Sequence, residues 1–101
     1  MKTKSKRVIM LLELPMLNVL HVIENSIRLI EGMSYEMTIT SAKDGLHMKG
    51  SLHYKGLAID IRVFDMENPM LVLEAIKKAL GVNYDVIFEI DHIHIEFDPK
   101  H

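Results

Sequence analysis

The run His92-Ile-His-Ile-Glu-Phe97 alternates without a break. Successive side chains of a strand point to opposite faces. Ile93, Ile95 and Phe97 therefore share one face, and His92, His94 and Glu96 share the other. Leu57-Ala-Ile-Asp-Ile-Arg-Val63 repeats the pattern, with Ile59 and Ile61 on one side and Ala58, Asp60 and Arg62 on the other. The isoleucine faces must be core. The opposite face holds imidazoles and a carboxylate, and a carboxylate inside a β-run is costly to desolvate unless it is paired or bound to a metal.

The remaining segments fit around such strands. Pro15 suits the first turn of a helix. Met16, Val19, Leu20, Ile23, Ile27 and Ile30 follow a three-four spacing that ends at Gly32, which predicts a helix over about 14–31, with His21 a structural residue on its flank. Tyr35 to Thr40 reads as a strand. Ser41 to Tyr54 reads as a loop, long enough that function is its expected reason. Asn68 and Pro69 mark a helix start. Leu71, Leu73, Ile76, Ala79 and Leu80 carry that helix to about residue 80, before Gly81. Tyr84–Glu89 and His92–Phe97 are two β-rich runs around Ile90-Asp91, either an antiparallel pair or one long bent strand. The order predicts an α+β fold, a small antiparallel sheet with two helices packed on one face.

At 101 residues the chain has room for one domain. It contains no Cys, so disulfides, thiolate metal ligands and thiol nucleophiles are excluded. Any metal must be held by His, Asp or Glu. Twelve basic residues stand against fourteen acidic ones, which is not the basic excess of a nucleic-acid binder. Residues 1–7 form a basic stretch, expected to be a solvated tail. The apolar stretch that follows is interrupted by Glu13 and Pro15 and has no small-residue cleavage site, so a cytoplasmic location in the producing cell is expected. No uncharged apolar run is long enough for a transmembrane helix, so no stable membrane insertion is expected. The five glycines form no phosphate-binding pattern.

Two segments are chemically dense: Ser51-Leu-His-Tyr-Lys-Gly-Leu-Ala-Ile-Asp60 and Asp91-His-Ile-His-Ile-Glu96. His-x-His alone is a weak metal signal. Joined to His53-x6-Asp60 and a nearby acid it is much stronger. Three N/O ligands with one open position is the catalytic zinc arrangement, whereas structural sites are closed by four protein ligands.

The first segment fixes Ser51, His53, Gly56, Ala58 and Asp60, and the second supplies Asp-His-x-His. The chain thereby resembles the zinc D-Ala-D-Ala carboxypeptidases and their phage endolysin relatives, over about residues 44–96. The resemblance implies a zinc DD-peptidase-like fold with Zn2+ as cofactor. It makes His53, Asp60 and His94 the metal ligands, and Asp91 the base that activates the attacking water. His92 would stabilise the oxyanion or orient substrate, and Ser51 and Tyr54 would line the site. The implied partner is a peptide of bacterial peptidoglycan. Zinc lowers the pKa of a bound water to about 7, and a neighbouring carboxylate can take its proton and return it to the leaving amine.

Several assignments stay open in the sequence. Glu89-x-x-His92 offers a second register, with Glu89 as base and His92 as ligand. Strict alternation places Asp91 opposite His94, so its role requires a bend or bulge near Ile90-Asp91. His47 is a candidate substrate contact or an exposed loop residue. Glu96 either orients a ligating ring or makes a surface ion pair. Two other readings of the chain are a zinc-binding module without catalysis and a phage structural or interaction protein. A phage origin fits the small size, with the enzyme released by a partner to reach the cell wall.

Overall fold

The computed structural model describes residues 2–3, 14–41 and 57–99. Among the described residues, five strands and three helical segments follow one another along the chain. They are β1 (Lys2–Thr3), α1 (Leu14–Leu17), α2 (Leu20–Glu31), β2 (Thr38–Ser41), β3 (Ala58–Arg62), α3 (Pro69–Leu80), β4 (Tyr84–Glu89) and β5 (His92–Phe97). The strands form one sheet in the order β1-β2-β3-β5-β4. β2, β3, β5 and β4 are antiparallel neighbours, and β1 pairs parallel to β2. The fold is α+β, as the element order predicts. β3 and β4 run in the same direction, α3 connects them, and β5 fills the slot between them.

The isoleucine faces behave as the alternation requires. Ile59, Ile61, Ile93 and Ile95 are fully buried and join Ile39 and Val86 against Ile23, Ile27, Val72, Leu73 and Ile76 from the helices. In α3 the buried stripe runs through Val72, Leu73 and Ile76, and Leu71 is exposed. The expected stripe was therefore misplaced by one position at its start, about 100° around a helix of 3.6 residues per turn.

Three boundaries differ from expectation. The helix expected over 14–31 breaks at Asn18-Val19, where Val19 adopts φ −106° and ψ 0° and its N–H reaches back to the Met16 carbonyl at 3.3 Å. Asn is a weak helix former, and Met16 and Leu20 are both buried on either side of the break. Tyr35–Met37 lies outside the strand, which begins at Thr38. In the basic N-terminal stretch, Lys2 and Thr3 pair with Thr38 and Ile39, and the Lys2 N–H donates to the Met37 carbonyl at 2.6 Å.

Long-range polar contacts tie the helices to each other and to the sheet. Glu31, at the end of α2, accepts hydrogen bonds from the N–H groups of Glu67 and Asn68 at 2.8 and 2.7 Å. These lie at the start of α3, where the Asn68 side chain makes no capping bond. The Tyr84 hydroxyl donates to the Pro15 carbonyl at 2.8 Å, tying the outer strand to α1. Among the described residues no helix is long and apolar enough to cross a membrane.

Candidate metal centre

The polar face of the sheet is set by cross-strand register. Asp60 on β3 stands opposite His94 on β5, and Arg62 stands opposite His92. On the other side of β5, Glu89 is paired with His92 and Ile87 with His94. Alternation places Asp60, Ile87, Glu89, His92, His94 and Glu96 together, on the face away from the isoleucine core. Beside Asp60 the β2–β3 ladder is irregular. The partners step from Ile39–Ile61 to Ser41–Asp60, leaving Thr40 as the extra residue. Its hydroxyl donates to the Asp60 carbonyl at 3.4 Å. A bulge of this kind re-aims a strand locally, here at the residue whose carboxylate enters the site.

His94 is held between two acids. Its Nδ1–H donates to Asp60 Oδ1 at 3.0 Å, and its Nε2–H donates to Glu96 Oε1 at 2.6 Å. The Asp60 and His94 side chains are only 13% and 14% exposed. Burial by itself pushes the imidazole pKa down, but the hydrogen bonds and charges of Asp60 and Glu96 outweigh it and raise the pKa from 6.5 to about 9. His92 is less enclosed. Its Nδ1 meets Asp91 Oδ1 at 2.9 Å, and its Nε2 meets Glu89 Oε1 at 3.2 Å, with Asp60 Oδ1 at 3.6 Å. Burial again opposes the charged form, and the surrounding acids again prevail, so its pKa is raised.

The donor set suits a divalent cation. Asp60, Glu89 and His94 offer one ligand atom each, and those atoms all lie within 4.8 Å of one another. Two donors bound tetrahedrally to one zinc at 2.0–2.2 Å are roughly 3.3–3.6 Å apart. The present Asp60–His94 separation needs to open by only a few tenths of an ångström. The proton between them and a cation compete for the same lone pairs. Glu96, on the far nitrogen of His94, holds the ring as an acid behind a ligating histidine does. A second group, Asp85, Glu96 and Asp98, brings three carboxylates together farther along the hairpin; it contains no histidine.

The sequence-derived residues divide into two sets. Asp60, His92 and His94 stand together on this face, and Asp91 meets the His92 ring from the hairpin turn. His47, Ser51, His53 and Tyr54 lie outside the described residues. The bend needed for Asp91 takes the form of a tight hairpin. Ile90 and Asp91 alone connect Glu89 to His92, and neither has a positive φ. The Asp91 carboxylate turns to the His92 ring and remains 80% exposed. Glu89, which the sequence offers only as the base of a register with His92 as ligand, lies close to Asp60 and His94. Its signal was the hairpin register, which puts residue 89 on the histidine face once the two-residue turn is fixed.

No protein-family model matches the chain, and no curated protein matches it.

Proposed function

We propose that this chain is a zinc-dependent peptidase that hydrolyses a peptide bond of bacterial peptidoglycan, on a zinc DD-peptidase-like fold. The reading covers both carboxypeptidase action at D-Ala-D-Ala and endopeptidase action of the endolysin type. The observation that carries it is the pairing of Asp60 with His94, side chains 34 residues apart, at 3.0 Å on a polar sheet face that also holds His92. The substrate class comes from the motif resemblance. The geometry supports metal-assisted hydrolysis by the chemistry of its donors.

In this reading His53, Asp60 and His94 hold the metal. A zinc ion there supplies a positive centre that polarises a carbonyl and acidifies a water near neutral pH. The protein supplies the rest. Glu96 fixes the His94 ring. His92 presents an N–H beside the site for the developing oxyanion. Ser51, Tyr54 and His47 contact the peptide. The resemblance gives the proton-accepting role to Asp91. Half-exposed Ile87, next to His94 across the ladder, provides an apolar contact for a substrate side chain. The enzyme acts on the wall after release from the cell that makes it.

The test begins with metal analysis of protein purified without a histidine tag. The reading expects about one zinc per chain, lost in His53→Ala and Asp60→Asn. Substoichiometric zinc that neither substitution changes would favour a structural or interaction protein instead.

A further inference from the structure

β4 forms one edge of the sheet, and the two-residue β1 forms the other. Edge strands present unpaired amides and carbonyls, which proteins blunt with short length, proline, lysine or a bulge. β4 has none of these. Tyr84–Glu89 holds six residues, no proline or lysine, and an unbroken register with β5. Two hydrogen bonds show which of its backbone groups point outward. The Phe97 N–H donates to the Leu57 carbonyl, on the β3 side, at 2.9 Å, and the Asp98 N–H donates to the Asn83 carbonyl, on the β4 side, at 2.8 Å. Backbone groups alternate sides along an antiparallel strand. His92, His94 and Glu96 therefore bond to β4, and their ladder partners Glu89, Ile87 and Asp85 bond back. Val86 and Phe88 turn their N–H and C=O groups to the open side, where among the described residues no strand pairs. A groove of about 500 Å³ follows that side, lined by Lys77, Val82, Tyr84, Asp85, Val86 and Ile87.

An antiparallel partner must set outward residues against outward residues. When the partner is β4 itself, two registers overlap five of the six strand residues. The register centred on Ile87 puts Asp85 opposite Glu89 twice, and like charges directly opposite are destabilising. The register centred on Val86 puts Tyr84 opposite Phe88 and Asp85 opposite Ile87, each twice, and no acid faces an acid. Continued past the strand, it sets Asn83 opposite Glu89 and Val82 opposite Ile90. Val82 and Ile90 are 78% and 98% exposed, and in this register each covers the other.

We propose that β4 pairs with β4 of a second copy about a two-fold axis at Val86, making one continuous sheet of two chains. The interface is isologous, so every contact occurs twice. Strands add in the plane of the sheet, which leaves the face of His92 and His94 open. Asn83 of the second copy stands beside Glu89, so each chain adds a neutral amide at the rim of the other's metal centre. The pairing needs neither metal nor substrate, and it stands or falls apart from the peptidase reading.

The experiment is sedimentation of the full chain in chelator, so that no metal bridges histidines of two copies. The parent is expected to associate to a dimer as its concentration rises. Ile87→Asp, which sets an acid against Asp85 twice, weakens the dimer at least about tenfold. Ile87→Lys, which sets an ammonium there instead, keeps it. The chain has no cysteine, so introduced thiols report the register. Residues 85 and 87 form a non-hydrogen-bonded pair with Cα atoms about 4.5 Å apart, within the reach of a disulfide. Under oxidation, a mixture of Asp85→Cys and Ile87→Cys is expected to yield a dimer of one chain of each, identified by mass, in excess of either variant linked to itself. This pairing decides the matter alone if Ile87→Asp fails to fold. A parent that stays monomeric overturns the proposal. So does a dimer indifferent to Ile87→Asp, and so does Ile87→Cys that links mainly to itself.

Discussion

At the scale of single residues, the site is governed by competition for lone pairs. His94 carries a proton that folding favours, because Asp60 and Glu96 flank it. Its pKa is 6.5 as a free side chain and about 9 in the folded chain. In metal-free protein the native state therefore binds this proton more tightly than the unfolded state does. The stabilisation is fully present below pH 6.5 and is lost as the pH rises through 9. Its upper bound is about 3–4 kcal/mol at 1.4 kcal/mol per pKa unit. Urea unfolding of chelator-treated protein should show stability falling between these limits, and Asp60→Asn should flatten the slope. A stability that rises with pH across this window would show that the ring is not held as an imidazolium. Alternation placed Asp60, His92 and His94 on one face from the sequence alone. The raised pKa of His94 was not readable there, since it needs the strand register that sets Asp60 opposite the ring.

At the scale of elements, the bounds of β5 and α3 were legible because local signals marked them, whereas the pairing of β4 with β5 was one of two arrangements the sequence left open. Period-two alternation bounded β5, and Pro69 and Gly81 bounded α3. What stabilises the start of α3 was not legible. Asn68 occupies the capping position without making the bond, and the chain that enters the helix is held instead by Glu31, 36 and 37 residues before the two amides it accepts from. Charge-assisted bonds to these two amides fix the turn into α3 and set a carboxylate near the positive end of the helix dipole. Glu31→Ala should cost about 1–2 kcal/mol in chemical denaturation, whereas Asn68→Ala should stay within about 0.5 kcal/mol. The reverse order would mean that Asn68 does cap the helix. The short parallel pairing of β1 was equally hidden, because nothing in a lysine-rich stretch announces a distant strand partner.

At the scale of the whole molecule, one sheet separates two kinds of chemistry. One face is sealed by α2 and α3 over isoleucines, and the other gathers acids and imidazoles. The rigidity of the first sets the geometry of the second, since Ile93 and Ile95 alternate with His92, His94 and Glu96 along one strand. Ile93→Ala, at a fully buried position, should lose about 2–5 kcal/mol of stability, measured by thermal or urea unfolding. A loss below about 1 kcal/mol would mean that this core is not tightly packed. The division into faces followed from the sequence. The convergence of three strands on one cation-sized space depended on sheet order, which no local pattern encodes. The most direct measurement is mass spectrometry of defined muropeptides incubated with zinc-loaded protein, beside Asp60→Asn. Cleavage of one peptide bond is expected, which a chelator abolishes, zinc restores and the substitution removes. Intact muropeptides in the presence of protein carrying a full zinc equivalent would contradict it.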